Sequence, residues 1–121
     1  VYPMNHSPDL RLAVTLRLLD DEGQRRFGPG VAALLEEVRE KRSLRAAAGS
    51  MGMAYSKAWR IVRAAEDALG YKLLSSTIGG RHGGGAALTA EAEALLGAYQ
   101  ALREEVSAYA LQRFGEYFRD L

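Results

Sequence analysis

Between Tyr55 and Arg63 the chain places Tyr55, Ser56, Lys57, Arg60 and Arg63 where one outward helix face would carry them. These side chains offer hydroxyl, ammonium and guanidinium donors, the groups that meet phosphates and base edges. An ordinary helical hairpin with a solvated basic face would carry the same charges, and both readings remain on pattern alone. The second unusual stretch is Gly79-Gly80-Arg81-His82-Gly83-Gly84-Gly85. A nucleotide-phosphate cradle would need a helix directly after the glycines, with its lysine and hydroxyl. Here an extended Ala86-Ala87-Leu88 follows instead. Glycines at the tip of a hairpin would let backbone N–H groups approach phosphates and let Arg81 reach a groove. A loop without a role is the alternative on glycine content alone.

Other chemistries find little support. There are no cysteines, which excludes disulfides and thiolate metal sites. His6 and His82 show no metal-ligand spacing. No serine, histidine and acid constellation stands out. Glu36-Glu37 and Glu104-Glu105 are neighbours in sequence, so on helices they point different ways. Trp59 is assigned to the core. The expectation is a protein that is not an enzyme and uses no metal or cofactor.

The charge is unevenly distributed. The net formal charge is +1. From Arg39 to Leu88 nine basic residues face three acids, a net +6, whereas from Thr89 to Leu121 three basic residues face six acids, a net −3. A basic middle beside an acidic end suggests a polyanion contact confined to one face. At 121 residues and 48% hydrophobic composition, the chain is long enough for one domain with a real core. No apolar run approaches a membrane span and no signal peptide pattern is visible, so a cytoplasmic location without membrane contact is expected.

The elements that must position these residues follow from periodicity. Residues 1–9 read as a flexible terminus and 10–121 as the domain. Leu10, Leu12, Val14, Leu16 and Leu18 alternate with outward positions, predicting a strand over Leu10–Leu19. Asp20-Asp21-Glu22-Gly23 is a turn, and Gln24–Phe27 a short return strand. Gly28-Pro29-Gly30 opens a helix with an apolar stripe of Val31, Leu34, Leu35 and Val38. Ser43 is placed to cap a short helix, Leu44–Met51, with small residues Ala46, Ala47, Ala48 and Gly49 for a close crossing. Gly52 stops it. A third helix is predicted from about Ala54 to Leu69, with Ala58, Ile61, Val62, Ala65 and Leu69 inward and Gly70 at its end. A hairpin follows, with Leu73-Leu74 on one side and Ala86–Leu88 on the other. Thr89 then caps a helix over about 89–118. Its apolar Leu95, Tyr99, Leu102, Val106, Tyr109, Ala110, Phe114 and Tyr117 recur at three and four, and Leu95, Tyr99, Leu102, Val106, Phe114 and Tyr117 are read as the seam of a dimerisation helix. The fold class is mainly α: a winged helix-turn-helix with an N-terminal β-hairpin, a glycine-rich β wing and a long C-terminal helix.

Three stretches together resemble the N-terminal DNA-binding domain of the ModE family, molybdate-responsive regulators whose winged helix is related to the LysR type. They are Ser43-Leu44-Arg45-Ala46-Ala47-Ala48, Met51-Gly52-Met53-Ala54-Tyr55-Ser56-Lys57-Ala58-Trp59, and Gly79-Gly80-Arg81 with Gly83 to Thr89. The likeness runs from about Leu10 to the end of the last helix. It implies a homodimer on a two-fold symmetric operator in double-stranded DNA. Candidate DNA contacts are Ser43, Arg45, Tyr55, Ser56, Lys57, Arg60 and Arg63, with Gly80, Arg81 and Gly83 in the wing. The sequence departs from the family in three places. Arg42 stands where glycine is usual, Ala54 where serine is usual, and Ser76 where arginine is common. Molybdate-sensing members continue into oxyanion-binding domains, so the shorter members are the nearer comparison and molybdate is not an expected ligand of these residues. The effector remains unassigned.

The expected function is a ModE-like DNA-binding transcriptional regulator. Two alternatives stand beside it: a dimeric protein-interaction module, and an oxyanion-responsive regulator with weak DNA binding.

Overall fold

The computed structural model describes residues 10–77 and 85–121. The elements run β1 (Leu18–Leu19), β2 (Arg25–Phe27), α1 (Pro29–Lys41), α2 (Leu44–Ser50), α3 (Tyr55–Leu69), β3 (Leu74–Thr77), β4 (Gly85–Leu88) and α4 (Ala90–Phe118). The mainly α winged helix expected from the periodicity is what the chain forms, with two small antiparallel hairpins, β1–β2 and β3–β4.

The helix boundaries follow local chemistry. Pro29 opens α1, where a missing N–H costs nothing, and Arg39 and Lys41 lie in its last turn, where cations suit the helix dipole. The Ser43 hydroxyl accepts the Ala46 N–H at 3.0 Å and caps α2. Gly52, at φ +69°, turns the chain out of α2, and Gly70, at φ +84°, closes α3. The Thr89 hydroxyl accepts the Ala92 N–H at 3.0 Å, and Glu91 and Glu93 occupy the first turn of α4.

The predicted N-terminal strand is much shorter than expected. Only Leu18 and Leu19 pair, with Phe27 and Arg25. The return strand is three residues long because Gly28-Pro29 commits the chain to α1, so residues 10–17 have no ladder partner. The alternation nonetheless persists in packing: Val14, Leu16 and Leu18 are half-buried, while Thr15, Arg17 and Leu19 are exposed. On the wing side, β3 begins at Leu74. Leu73 is a core residue just before it.

Two apolar clusters make the core. One joins Phe27, Leu35, Ala65, Leu73, Leu96 and Tyr99 beneath the first hairpin and the start of α4. The other joins Leu34, Val38, Ala47, Ala48, Ala58 and Val62, and it locks α3 against α1 and α2. Of the small residues expected at the crossing, Ala47 and Ala48 are buried and Ala46 and Gly49 are exposed. Tyr99, read from periodicity as part of a dimer seam, is 2% exposed. Its ring meets Phe27 edge-on at 5.1 Å, and its hydroxyl donates to the Leu16 carbonyl at 2.8 Å. Leu95 also packs against this core. Tyr99 therefore belongs to the domain's own interior, whereas Leu95 is half-buried at its edge.

Candidate nucleic-acid interface

The second helix of the helix-turn-helix, α3, is held by its buried Ala58, Val62 and Ala65. Everything opposite that stripe faces solvent. Tyr55, Ser56, Lys57, Arg60 and Arg63 are all exposed, as the sequence predicts. Their helix positions spread them across the face. Tyr55 and Arg63 lie toward the wing, Ser56 and Arg60 are central, and Lys57 flanks the first hairpin, sharing a cleft with Arg17 and Arg25.

Trp59 corrects the sequence reading. It is not core but 45% exposed, on the same face as Tyr55 one turn earlier. The inward stripe of α3 is taken by alanines and Val62, which leaves no room for an indole between α3 and α2. The Arg63 guanidinium lies over the Trp59 ring at 5.0 Å, and the Arg45 guanidinium over Tyr55 at 4.1 Å. Aromatic platforms of this kind orient cations without neutralising them. Among the described residues Arg45, Lys57, Arg60 and Arg63 make no ion pair, whereas Arg39 on α1 pairs with Glu93 at 2.8 Å and Lys41 lies 4.0 Å from Glu37. Unpaired positive charge therefore lies on the face of α2 and α3, with Arg17 and Arg25 beside Lys57 adding to it.

Between α3 and the wing strands lies a cleft of about 510 Å³, bordered by Arg45, Tyr55, Trp59, Arg63, Lys72 and Ser75. Its geometry depends on two ties that the sequence does not announce. Glu66, 7% exposed, accepts the N–H groups of Leu73 at 2.8 Å and Leu74 at 3.3 Å, with the Lys72 ammonium 3.7 Å away. This carboxylate fastens the base of the wing to α3. In the sequence Glu66 stands beside Asp67 as one of two adjacent acids, and nothing there marks it out. The second tie is at Arg42, the one described non-glycine residue with positive φ, at +60°. Its carbonyl accepts the Ala86 N–H at 3.0 Å, pinning β4 to the α1–α2 junction. A Cβ at Gly85 would come within 2.9 Å of that carbonyl oxygen, so glycine is required for the approach.

The remaining candidates fall as follows. Ser43 is half-buried and its hydroxyl is occupied in capping α2, which makes it a positioning residue. Arg45 is exposed in the first turn of α2. Ala54 precedes α3 with no side-chain cap, as the departure from serine implies. Ser76 is exposed on β3, opposite Ala86. Gly80, Arg81 and Gly83, with His82 between them, lie outside the described residues, as do residues 1–9 with His6. Among the described residues no cluster of three or more histidine, cysteine, aspartate or glutamate side chains could hold a metal ion.

Comparison with known proteins fits this geometry. Residues 32–93 match the bacterial regulatory helix-turn-helix proteins of the lysR family, a stretch that runs from α1 through the wing to the start of α4. The chain is also 37% identical over 82 residues to the molybdenum-pterin-binding protein MopB of Rhodobacter capsulatus. The match covers 68% of this chain and 30% of that protein, so this chain spans well under half of its relative's length. The similarity fits the ModE-like helix-turn-helix inferred from the three sequence stretches.

Proposed function

The chain belongs to the lysR family of bacterial regulatory helix-turn-helix proteins, and from that premise we propose that it binds a two-fold symmetric operator in double-stranded DNA as a homodimer, in the manner of ModE-like regulators. That it is a DNA-binding transcription regulator follows from the family. The symmetry, the dimer and the contact residues are the finer reading.

The observation that carries this reading is the unpaired cationic face of α3, backed by a separate core cluster that fixes its orientation. In this reading α3 enters the major groove and Ser56, Lys57 and Arg60 meet base edges. Arg45 and Arg63 meet phosphates on either side. Gly80, Arg81 and Gly83 would follow the backbone from the wing tip. The dimer is supported by α4, where Leu102, Tyr109 and Tyr117 are exposed along one side of a long helix. Acting on the chromosome places the protein in the bacterial cytoplasm. Molybdenum-pterin binding belongs to the name of a relative more than three times as long as the matched share, and no such ligand is assigned to these residues.

Binding to duplexes selected from a random pool, followed across a range of salt concentrations, tests the reading. Affinity should fall steeply as salt rises, because each neutralised phosphate releases counterions. A flat salt dependence with no enriched sequence would refute it. In the same selection, Lys57→Ala should change which sequence is enriched. A lysine on guanine discriminates by about 1–3 kcal/mol. An unchanged preference would move base reading off Lys57.

A further inference from the structure

Tyr55 and Trp59 are an exposed aromatic pair on the outward face of α3. Neither ring enters either core cluster. Among the described residues neither the Tyr55 hydroxyl nor the Trp59 indole N–H makes a hydrogen bond. Each ring carries a stacked guanidinium, Arg45 over Tyr55 at 4.1 Å and Arg63 over Trp59 at 5.0 Å, both themselves exposed. An aromatic surface left about half open to water on a cationic face calls for a partner that carries both anionic and apolar groups.

Tyr55 and Trp59 also share a shallow depression of about 370 Å³ with Ser56 and Arg60. The two rings stand one helical turn apart, so they form a single apolar strip beside the two polar side chains. The major groove of DNA offers one apolar feature on its base edges, the C5 methyl group of thymine.

Resting on the DNA-binding reading above, we propose that Trp59, walled by Tyr55, is a contact site for a thymine methyl group, and so a sequence-determining residue of this face. The stacked Arg45 and Arg63 hold the rings between them and present their charges to the flanking phosphates. The strip thus selects a T·A pair at one position of each half-site, next to the pairs met by Ser56 and Arg60.

The test uses duplexes selected by the wild-type chain from a random pool, with each thymine replaced singly by uracil, which removes only the methyl group. Binding is read by anisotropy of the labelled duplex. At one thymine per half-site the wild type should lose about four-fold in affinity, the worth of one buried methyl group. Trp59→Ala should show no loss at that position and the wild-type losses at all others, while Trp59→Phe should retain part of it. Trp59 is the only tryptophan in the chain, so its fluorescence in the unaltered protein should shift as the selected duplex saturates. If uracil costs the wild type and Trp59→Ala the same at every position, or if the fluorescence stays still while anisotropy reports binding, the inference fails and the DNA-binding reading stands. If the wild type binds no duplex, both fail together.

Discussion

At the scale of single residues, conformation and charge are the informative properties. Arg42 holds φ +60° to bring the chain from α1 into α2 and to aim its carbonyl at β4. A left-handed conformation costs an ordinary residue about 1–2 kcal/mol, and glycine's extra unfolded freedom returns about 0.4–1 kcal/mol of that difference. Arg42→Gly should therefore stabilise the domain by up to about 1.6 kcal/mol, a rise of a few degrees in the thermal midpoint. An unchanged or lowered midpoint would show that the arginine side chain matters more than its backbone. Arg63 is the matching case for charge. It is exposed, unpaired and held over Trp59. Arg63→Ala should weaken binding to selected and random duplexes alike and reduce the salt slope by roughly one, the signature of one lost phosphate contact. A loss confined to the selected duplex would make Arg63 a base contact instead.

At the scale of elements, the wing and the recognition helix form one unit. Neither β3 nor β4 is longer than four residues, and a two-stranded hairpin of that length is not stable alone. It is fastened at one end by Glu66 to the N–H groups of Leu73 and Leu74, and at the other by the Arg42 carbonyl to the Ala86 N–H. Glu66→Ala would leave the Leu73 N–H buried without an acceptor, at a cost of about 1–3 kcal/mol. The expected result is a lowered thermal midpoint together with fast amide exchange at Leu73 and Leu74, while α1 exchanges as before. Uniform loss of protection across the chain would mean that Glu66 supports the whole core and not the wing base.

At the scale of the whole molecule, the long helix outruns its domain. With 29 residues α4 is about 44 Å long at 1.5 Å per residue. Its hydrogen bonds and ion pairs to the body run from Glu93 with Arg39, through Gln100 with Glu36, to Arg103 with Glu36 at 4.0 Å. Beyond Arg103 the helix carries pairs of its own, the stacked Phe114 and Phe118 and the Arg113–Glu116 ion pair. Leu102, 47% exposed, begins the free part of the seam. A second copy burying Leu102, Val106, Phe114 and Tyr117 would also set two α3 helices on one DNA face, about 34 Å apart. Leu102→Asp should yield monomers with unchanged helix content and much weaker binding to selected duplexes. Sedimentation at micromolar concentration decides it, since a wild-type chain that runs as a monomer removes the dimer.

The sequence by itself determined what local interactions determine. Ser43 and Thr89 read as caps and are caps, Gly52 and Gly70 read as stops and are stops, and the inward stripe of α3 was visible as period-3.6 alanines and Val62. The outward residues of α3 followed, because fixing one face of a helix fixes the other. The tertiary structure decided whatever depends on a partner distant in the chain. Residues 10–17 alternate like a strand, but a ladder needs a second strand and α1 begins too soon to supply one. Tyr99 sits in the same periodic stripe as Leu102, and only the position of Phe27 and Leu16 separates the buried ring from the exposed side chain. Trp59 has the composition of a core residue and faces solvent because the small side chains on α2 and α3 bring those helices too close to admit it. Glu66 looks like any surface glutamate until the chain returns after Gly70 and brings two backbone N–H groups to its carboxylate.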